Sequence, residues 1–226
     1  MLVIGHRGVR EPGCTENTLE AFQRAAEQGV DGIETDVRLT RDGRLVLFHD
    51  RLSAAGVPVA ETDHGHLEAM QGHHVPELAE ALGLWPDLLW DLEIKDAAVF
   101  PALRRVLPGL GGRRPLLTSF RHDLLHAYDG TLGGCPVGLV IGHRPLSVAS
   151  LLYGWRESPR PGCFIWNGEY LDGTLLEEAR TAGMDNFLYN LQTQADVELA
   201  RARRCAGVIL DRPGAVREAG PEGGSP

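Results

Sequence analysis

Eight short apolar segments, each bounded by glycine, proline or a charged residue, alternate with stretches of helical patterning along this chain. Segments that are apolar at nearly every position suit strands buried on both faces of a parallel sheet. The intervening stretches carry amphipathic periodicity, as in residues 19–28. Strand and helix alternating in this way predict an α/β fold, a single (β/α)8 TIM barrel. The predicted strands are Leu2–Ile4, Gly32–Val37, Leu88–Ile94, Pro115–Ser119, Val137–Ile141, Cys163–Trp166, Asn186–Tyr189 and Gly207–Leu210.

A further apolar run, Leu45–Phe48, does not fit this alternation. The link of residues 39–44 is too short for a parallel crossover, which needs about a dozen residues. Asp42-Gly43 within it is a hairpin turn signal. We therefore predict that residues 37–49 form an antiparallel β arm after strand two, which returns His49 toward Glu34 and Asp36.

The chain has no internal repeat and no internal domain boundary, so one barrel domain over residues 1–216 is expected. Residues 51–75 are the most loop-like internal stretch. The tail, residues 217–226, combines glycine and proline and is predicted to be disordered. The first residues contain neither a basic segment nor a long apolar one, and no run reaches the length of a membrane span. A cytoplasmic protein without stable membrane insertion is expected.

The formal net charge is −9, which disfavours non-specific binding to nucleic acid or to an anionic membrane. Attraction of an anionic substrate would then depend on a local cation or on a few basic side chains. The four cysteines, which lie far apart, indicate buried thiols in a reducing compartment and neither a disulfide framework nor a zinc site. They are Cys14, Cys135, Cys163 and Cys205.

Ionisable residues collect where the predicted strands end, which is the active-site face of a barrel. They are His6 and Arg7, Glu34 and Asp36, His49 and Asp50, and Glu93 and Lys95. Residues two apart on a strand point the same way, so the carboxylates should converge. Three converging carboxylates repel one another unless a cation lies among them, and hard oxygen ligands favour Mg²⁺ or Ca²⁺. Two histidines beside such a metal suit the proton transfers of phosphodiester cleavage.

Taken together, these residues resemble the glycerophosphodiester phosphodiesterase family over residues 3–213. The motifs that carry the resemblance are His6-Arg7-Gly8, Glu16-Asn17-Thr18, Glu34-x-Asp36-Val37, Asp42-Gly43, His49-Asp50, Glu93-Ile94-Lys95, Ser119-Phe120 and Asp211-Arg212-Pro213. The resemblance implies a barrel, a divalent cation and hydrolysis of small-molecule glycerophosphodiesters to an alcohol and glycerol 3-phosphate. It also implies a role for each residue of the site. The catalytic acid/base pair would be His6 and His49, the metal ligands Glu34, Asp36 and Glu93, and the phosphate-binding residues Arg7 and Lys95.

The sequence departs from the family pattern at places that would shape the pocket. The segment Phe187-Leu188-Tyr189-Asn190 stands where Trp-Thr-Val-Asn is usual. The common Arg-Thr-Thr is missing after His49-Asp50, and Thr15 occupies a common proline position. The first two changes concern the wall and cap of the pocket, so the alcohol that is released stays open.

Several motifs also have purely structural interpretations. His6-Arg7-Gly8 alone suits a turn that requires glycine, and Asn17 with Glu20 suits the start of a helix. Asp211 could orient a site residue, although an ion pair with Arg212 explains it more simply. Trp166 could line the pocket or pack in the core. The histidines of residues 64–74 are expected to lie on the surface, because their spacing matches no zinc site.

Three other functions stay open. A phospholipase of the C or D type would keep the chemistry and would need an apolar or basic interfacial patch. A catalytically silent phosphodiester-binding protein should have lost a histidine or a metal carboxylate, yet all are present. An unrelated barrel metalloenzyme acting on amides would favour histidine-rich zinc ligation. The attacking oxygen could belong to water or to a neighbouring glycerol hydroxyl, and no motif indicates the oligomeric state.

Overall fold

The computed structural model describes residues 1–109, 114–127, 134–155, 160–170 and 172–217, and its architecture is a closed parallel barrel. Within these residues eight parallel strands form the barrel, and one antiparallel strand extends it. The strands are β1 (Leu2–His6), β2 (Gly32–Leu39), β3 (Leu45–Leu47), β4 (Leu89–Ile94), β5 (Leu116–Ser119), β6 (Val137–Ile141), β7 (Cys163–Asn167), β8 (Asp185–Tyr189) and β9 (Gly207–Leu210).

Closure of the barrel comes from β1, which pairs in parallel with β9 on one side and with β2 on the other. The predicted strands and the barrel are therefore confirmed. In the register of β2 against β4, Glu34 lies beside Asp91 and Asp36 beside Glu93. His6 lies beside Glu34 in the register of β1 against β2. The register alone thus brings acidic residues of two strands next to a histidine of a third.

Helices surround the barrel, and their apolar faces cover the outward residues of the strands. They are α1 (Leu19–Glu27), α2 (His64–Gln71), α3 (Leu78–Leu84), α4 (Val99–Val106), α5 (His122–His126), α6 (Val148–Leu152), α7 (Gly173–Thr181), α8 (Gln194–Ala202) and α9 (Gly214–Arg217). The main hydrophobic cluster lies between strands and helices, and Phe22 of α1 packs edge-on against Trp90 of β4 at 5.4 Å. Burying a side chain of this size contributes roughly 1.5–3 kcal/mol.

A second, smaller cluster fills the barrel interior, because alternate residues of each strand point inward. Its buried members are Ile4, Leu116, Val140, Cys163, Ile165, Phe187 and Ile209. The inward positions nearer the carboxyl ends of β1, β2 and β4 carry the ionisable side chains. The interior is thus apolar beneath an acidic mouth.

The predicted arm is confirmed. Val37, Arg38 and Leu39 of β2 pair antiparallel with Leu47, Val46 and Leu45 of β3. Gly43 in the connecting turn has φ +78°, a conformation that favours glycine. The Arg38 guanidinium donates to the carbonyl oxygen of His49 at 2.7 Å, which holds the end of the arm against β2.

Other sequence predictions have mixed outcomes. Residues 51–75 are more ordered than expected, since they contain a 3-10 helix, Val59–Glu61, and α2. His64 and His73 are half-buried, whereas His66 and His74 are exposed. His64 Nε2 lies 2.7 Å from the carbonyl oxygen of Val75. Trp166 packs in the core and donates its indole N–H to Asn186 at 2.7 Å.

All four cysteines are free thiols, as predicted. No helix in the described ranges is long and apolar enough to cross a membrane. The predicted tail lies outside the described residues except for Arg217, so its disorder stays a prediction.

Candidate active site

The turn after β1 positions the first two candidate residues. Arg7 has φ +53° and Gly8 has φ +87°, so the chain reverses sharply toward α1. A Cβ on Gly8 would lie 2.6 Å from the Ala21 backbone carbon, which only glycine avoids. The structural interpretation of His6-Arg7-Gly8 is therefore correct, and the same turn brings Arg7 over the barrel mouth, where its backbone N–H donates to Glu34 at 3.1 Å.

Three buried carboxylates converge at the carboxyl ends of β2 and β4. One oxygen each from Glu34, Asp36 and Glu93 lies within 4.8 Å of the others. A set of three carboxylate oxygens offers hard anionic donors of the kind that Mg²⁺ and Ca²⁺ prefer. The residues therefore fit a hard divalent cation.

Two basic side chains lie within the same cluster. The Nζ of Lys95 lies 2.7 Å from Asp36 Oδ1 and also contacts Glu93 Oε1. Arg7 Nε lies 3.0 Å from Asp36 Oδ2, and Arg7 Nη1 lies 2.5 Å from Glu16 Oε1. Two cations do not neutralise three clustered carboxylates, so the cluster retains an excess of negative charge when all three are ionised.

Burial and neighbouring charge shift the pKa values of these groups in opposite directions. Burial, reinforced by Asp36 and Glu93, holds the pKa of Glu34 well above its usual range. Burial also raises the pKa of Glu93, although Lys95 opposes it. For Asp36 burial acts upward, but Lys95 and Arg7 outweigh it and the pKa lies below its usual value. The pKa of Lys95 is raised, because Asp36 and Glu93 outweigh its burial.

Asn17 holds Asp36 rather than beginning a helix. Its Nδ2 donates to Asp36 Oδ2 at 2.8 Å, and its Oδ1 accepts from the Thr35 hydroxyl at 2.6 Å. The residue is buried with φ +57°. The N-cap of α1 is instead Thr18, whose hydroxyl accepts from the backbone N–H of Ala21. The predicted helix start was therefore one residue early, and the amide of Asn17 orients a candidate metal ligand.

Each candidate catalytic histidine has a carboxylate on its Nδ1. His6 Nδ1 lies 2.6 Å from Asp211 Oδ1, and His49 Nδ1 lies 2.8 Å from Asp50 Oδ1. An ionised carboxylate only accepts hydrogen bonds, so Nδ1–H donates in both pairs. This tautomer leaves Nε2 of each ring able to accept a proton, and His6 Nε2 lies 3.8 Å from Glu34 Oε2.

The predicted ion pair between Asp211 and Arg212 is wrong. Asp211 contacts His6 and also lies 3.3 Å from Arg10 Nη1. Burial raises the pKa of the Asp211 carboxyl, but the hydrogen bond from His6 and the charge of Arg10 bring it below its usual value. Asp211 ends β9, and its position at a strand end was the signal that could have placed it in the site.

A cavity of about 170 Å³ opens between the candidate residues and extends into the barrel. Its lining includes His6, Arg7, Glu34, His49 and Glu93, so the barrel mouth brings these predicted residues together. Lys95 reaches the same cluster through its contacts with Asp36 and Glu93. The remaining wall includes Phe120 and Tyr189. A polar groove of about 750 Å³ adjoins it and shares His6 and Tyr189; its other lining residues include Asn190, Gln192, Thr193 and Arg212.

Asp91, which sequence reasoning missed, lies deeper in the same cavity. It is buried at the inward position below Glu93, and its Oδ1 accepts from the Thr118 hydroxyl at 2.6 Å. Burial raises its pKa to about 7, against the opposing hydrogen bond from Thr118. The period-two spacing from Glu93 was the available signal, because residues two apart share one face of a strand.

This arrangement defines a class of protein: a closed (β/α)8-barrel enzyme with acids, bases and imidazoles at the carboxyl ends of its strands. Comparison with known proteins shows which family this chain is similar to. The model of the Glycerophosphoryl diester phosphodiesterase family matches residues 6–107. A glycerophosphodiester phosphodiesterase from Caldanaerobacter subterraneus is 28% identical, over 94% of each chain. The chain is thus similar to this family, as the motifs of its sequence predict.

Solved structures share the fold along nearly the whole chain. The crystal structure of a glycerophosphodiester phosphodiesterase from Thermotoga maritima is similar with a TM-score of 0.81 and 26% identity, covering 96% of this chain and 97% of that one. A phosphodiesterase from Oleispira antarctica, in complex with the product sn-glycerol-3-phosphate, is similar with a TM-score of 0.83 and 19% identity, covering 96% of each. The barrel is thus the fold of this family.

Proposed function

We propose that this protein hydrolyses glycerophosphodiesters to an alcohol and glycerol 3-phosphate, with a divalent cation and a pair of histidines. One observation carries the proposal: two imidazoles, each with its Nδ1 on a carboxylate, lie with three converging carboxylates at one barrel mouth. The family and the Caldanaerobacter relative support the substrate class. The product bound to the Oleispira structure agrees with the same reaction for that protein.

Glu34, Asp36 and Glu93 would hold the cation, either Mg²⁺ or Ca²⁺, through carboxylate oxygens. When bound, the cation would neutralise charge that develops on the non-bridging phosphate oxygens. Asn17 would keep Asp36 in its rotamer by donating to Oδ2. Glu34 has to lose its proton before it binds the cation, because its pKa is raised by burial.

The two histidines would move the protons. One imidazole, neutral at the start, takes a proton at Nε2 from the attacking oxygen. The other enters as the imidazolium, protonated on both nitrogens, and gives its Nε2 proton to the departing alkoxide. Asp211 and Asp50 hold the rings in the required tautomer and stabilise the imidazolium when it forms. The attacking oxygen is that of water or of a neighbouring glycerol hydroxyl, and both routes use the same pair.

Arg7 and Lys95 would bind the phosphate. The guanidinium of Arg7 is a planar fork suited to two phosphate oxygens, and the Lys95 ammonium is a compact charge. Both lie among the carboxylates in this structure, where they offset part of the negative charge that would repel an anionic substrate. We assign substrate binding to both residues on this charge argument.

The alternatives differ in substrate or in activity. A phospholipase of the C or D type would use the same centre on a lipid, and a catalytically silent protein would bind phosphodiesters without cleaving them. Absence of nucleic-acid binding, a cytoplasmic location and the division into a domain of residues 1–216 and a tail stay predictions. The oligomeric state stays open.

The experiment that tests the proposal is an assay of glycerol 3-phosphate release. The purified protein is incubated with glycerophosphocholine and glycerophosphoethanolamine in the presence of Mg²⁺, Ca²⁺ or EDTA. Metal-dependent release that is lost in His6→Ala and Glu93→Ala supports the reaction and the roles. If the protein cleaves only a generic phosphodiester, the chemistry stands but the substrate is not a glycerophosphodiester. If no phosphodiester is turned over with any metal, the result favours a catalytically silent phosphodiester-binding protein.

A further inference from the structure

Four aromatic rings lie on one side of the barrel mouth, after or at the ends of the neighbouring strands β5 to β8, as two contacting pairs. Phe120, after β5, meets Tyr189 of β8 edge-on at a centroid distance of 6.0 Å. Tyr170 follows β7, the strand that pairs with β8. Tyr170 in turn contacts the ring of His143, after β6, at 5.7 Å. We call these four rings the aromatic strip.

The aromatic strip begins inside the catalytic cavity and ends in solvent. Phe120 and Tyr189 line the cavity that holds His6 and His49. Phe120 is 47% exposed and Tyr170 is 41% exposed, whereas Tyr189 is half-buried. A group attached to a phosphate at the cavity would therefore meet the rings directly.

The charges around the aromatic strip sum to a negative value. Two arginines adjoin it in sequence, and both are paired: Arg121 with Asp123 at 2.6 Å and Arg144 with Asp172 at 2.6 Å. Glu169, next to Tyr170, is exposed and has no ion pair among the residues that the structure describes. An aromatic surface beside an unpaired carboxylate attracts a cation, since ring faces carry negative potential.

A neutral polyol and an acyl chain fit the aromatic strip less well. Hydroxyl groups require hydrogen-bond partners, and these lie in the adjoining polar groove, where Asn190, Gln192 and Thr193 are found. An acyl chain requires a long apolar channel, whereas polar groups of Tyr170 and His143 interrupt this surface. A compact apolar cation satisfies both the rings and the charge.

We propose that the aromatic strip binds the alcohol half of the substrate and selects alcohols that carry an alkylated ammonium group, such as choline. This inference rests on the proposed function, because it assigns a part of the same substrate. The glycerol 3-phosphate half then lies toward the polar groove. Selection comes from contact of the cation with the ring faces of Phe120 and Tyr170 and from the charge of Glu169.

The test compares two esters of glycerol 3-phosphate that differ in one atom. One is glycerophosphocholine, and the other carries 3,3-dimethylbutanol, in which carbon replaces the choline nitrogen. Their Kd values are measured by calorimetry on the His6→Ala protein with Mg²⁺, which separates binding from turnover. We expect the choline ester to bind about tenfold more tightly, which is the scale of one or two cation–π contacts.

Tyr170→Leu and Phe120→Leu, each combined with His6→Ala, should bring the ratio of the two Kd values toward one. Tyr153→Leu is the matched control, since Tyr153, the residue after α6, is 72% exposed and lies outside the aromatic strip. If these rings had only a structural role, the substitutions would weaken the binding of both esters equally and leave the ratio of the two Kd values unchanged. Equal Kd values in the parent protein, or a ratio that survives both substitutions, would overturn the inference.

Turnover by the protein with an intact His6 is measured in parallel. If it cleaves both esters at equal kcat/KM and binds them equally, the inference fails and the proposed function stands. If it cleaves neither ester with Mg²⁺ or Ca²⁺ yet binds the choline ester more tightly, the proposed function fails and the aromatic strip stands. Binding of neither ester overturns both.

Discussion

Asp211 Oδ1 accepts a hydrogen bond from His6 Nδ1 at 2.6 Å, although the two residues lie at opposite ends of the barrel sequence. The pairing of β1 with β9, in which Gly5 lies beside Leu210, brings their strand ends together. The contact sets the tautomer of His6 and leaves Nε2 as the group that can exchange a proton with substrate. Closure of the barrel thus assembles this carboxylate–imidazole pair at the candidate active site.

Replacing Asp211 with asparagine should lower kcat/KM by about a hundredfold, because the amide can donate to Nδ1 and stabilise the wrong tautomer. KM should change little, since Asp211 acts through His6. The pH profile of kcat should shift as well. Asp185→Asn is the control, because Asp185 is an exposed carboxylate at the opposite end of the barrel. Unchanged kcat in Asp211→Asn would show that His6 does not need this partner.

Asn17→Gly should weaken binding of the divalent cation about tenfold, because Asp36 loses the donor on Oδ2. Glycine accepts the φ of +57° at this position, so the effect reports the side chain and not backbone strain. Thr18→Ala provides the contrast, since it removes the N-cap of α1. It should cost about 1 kcal/mol of stability with the metal affinity kept. The measurement is a titration of activity with Mg²⁺; equal midpoints in both variants would contradict the role of Asn17.

Affinity for Mg²⁺ should rise with pH. Burial holds the pKa of Glu34 well above its usual value near 4.3, so the protonated form persists at a pH where a free carboxyl is ionised. Binding requires the anion and releases that proton, so Kd falls as pH rises through the raised pKa. Calorimetry between pH 5.5 and 8.5 measures this change. Glu34→Gln should bind weakly with a flatter pH dependence, and a constant Kd in the unchanged protein would refute the prediction.

Asp91→Asn should stabilise the protein at pH 8 by a few kcal/mol, as one pKa unit corresponds to about 1.4 kcal/mol. The pKa of Asp91 is raised to about 7 in the folded state. The folded state therefore binds more protons than the unfolded state between about pH 4 and 7, so stability falls as pH rises through that window. Asparagine removes this loss and can still accept from Thr118.

Urea denaturation at pH 5 and pH 8 checks this prediction. The difference between Asp91→Asn and the parent protein should be small at pH 5 and large at pH 8. Asp185→Asn again provides the comparison for an exposed carboxylate, and its effect should be the same at both values of pH. A gain from Asp91→Asn that does not depend on pH would mean that Asp91 is not a proton-binding group.

The barrel, the antiparallel arm and the identity of the residues at the mouth could all be predicted from the order of the amino acids. Apolar runs and their spacing follow from burial on both faces of each strand, and the link of residues 39–44 forced a hairpin. The convergence of Glu34, Asp36 and Glu93 follows from the period of two along a strand and from barrel closure. These rules concern spacing and periodicity along the sequence, so they can be applied before the structure is known.

The hydrogen-bond partner of each of these side chains, in contrast, became known only from the fold. Asn17 donates to Asp36, Asp211 accepts from His6 and Asp91 accepts from Thr118, and each contact joins different strands or a loop and a strand. Spacing along one chain does not specify such partners, because several polar groups compete for each buried carboxylate. Which polar group pairs with a given carboxylate depends on strand register, on side-chain rotamers and on which other groups are buried without a partner. Only the folded structure fixes all three together.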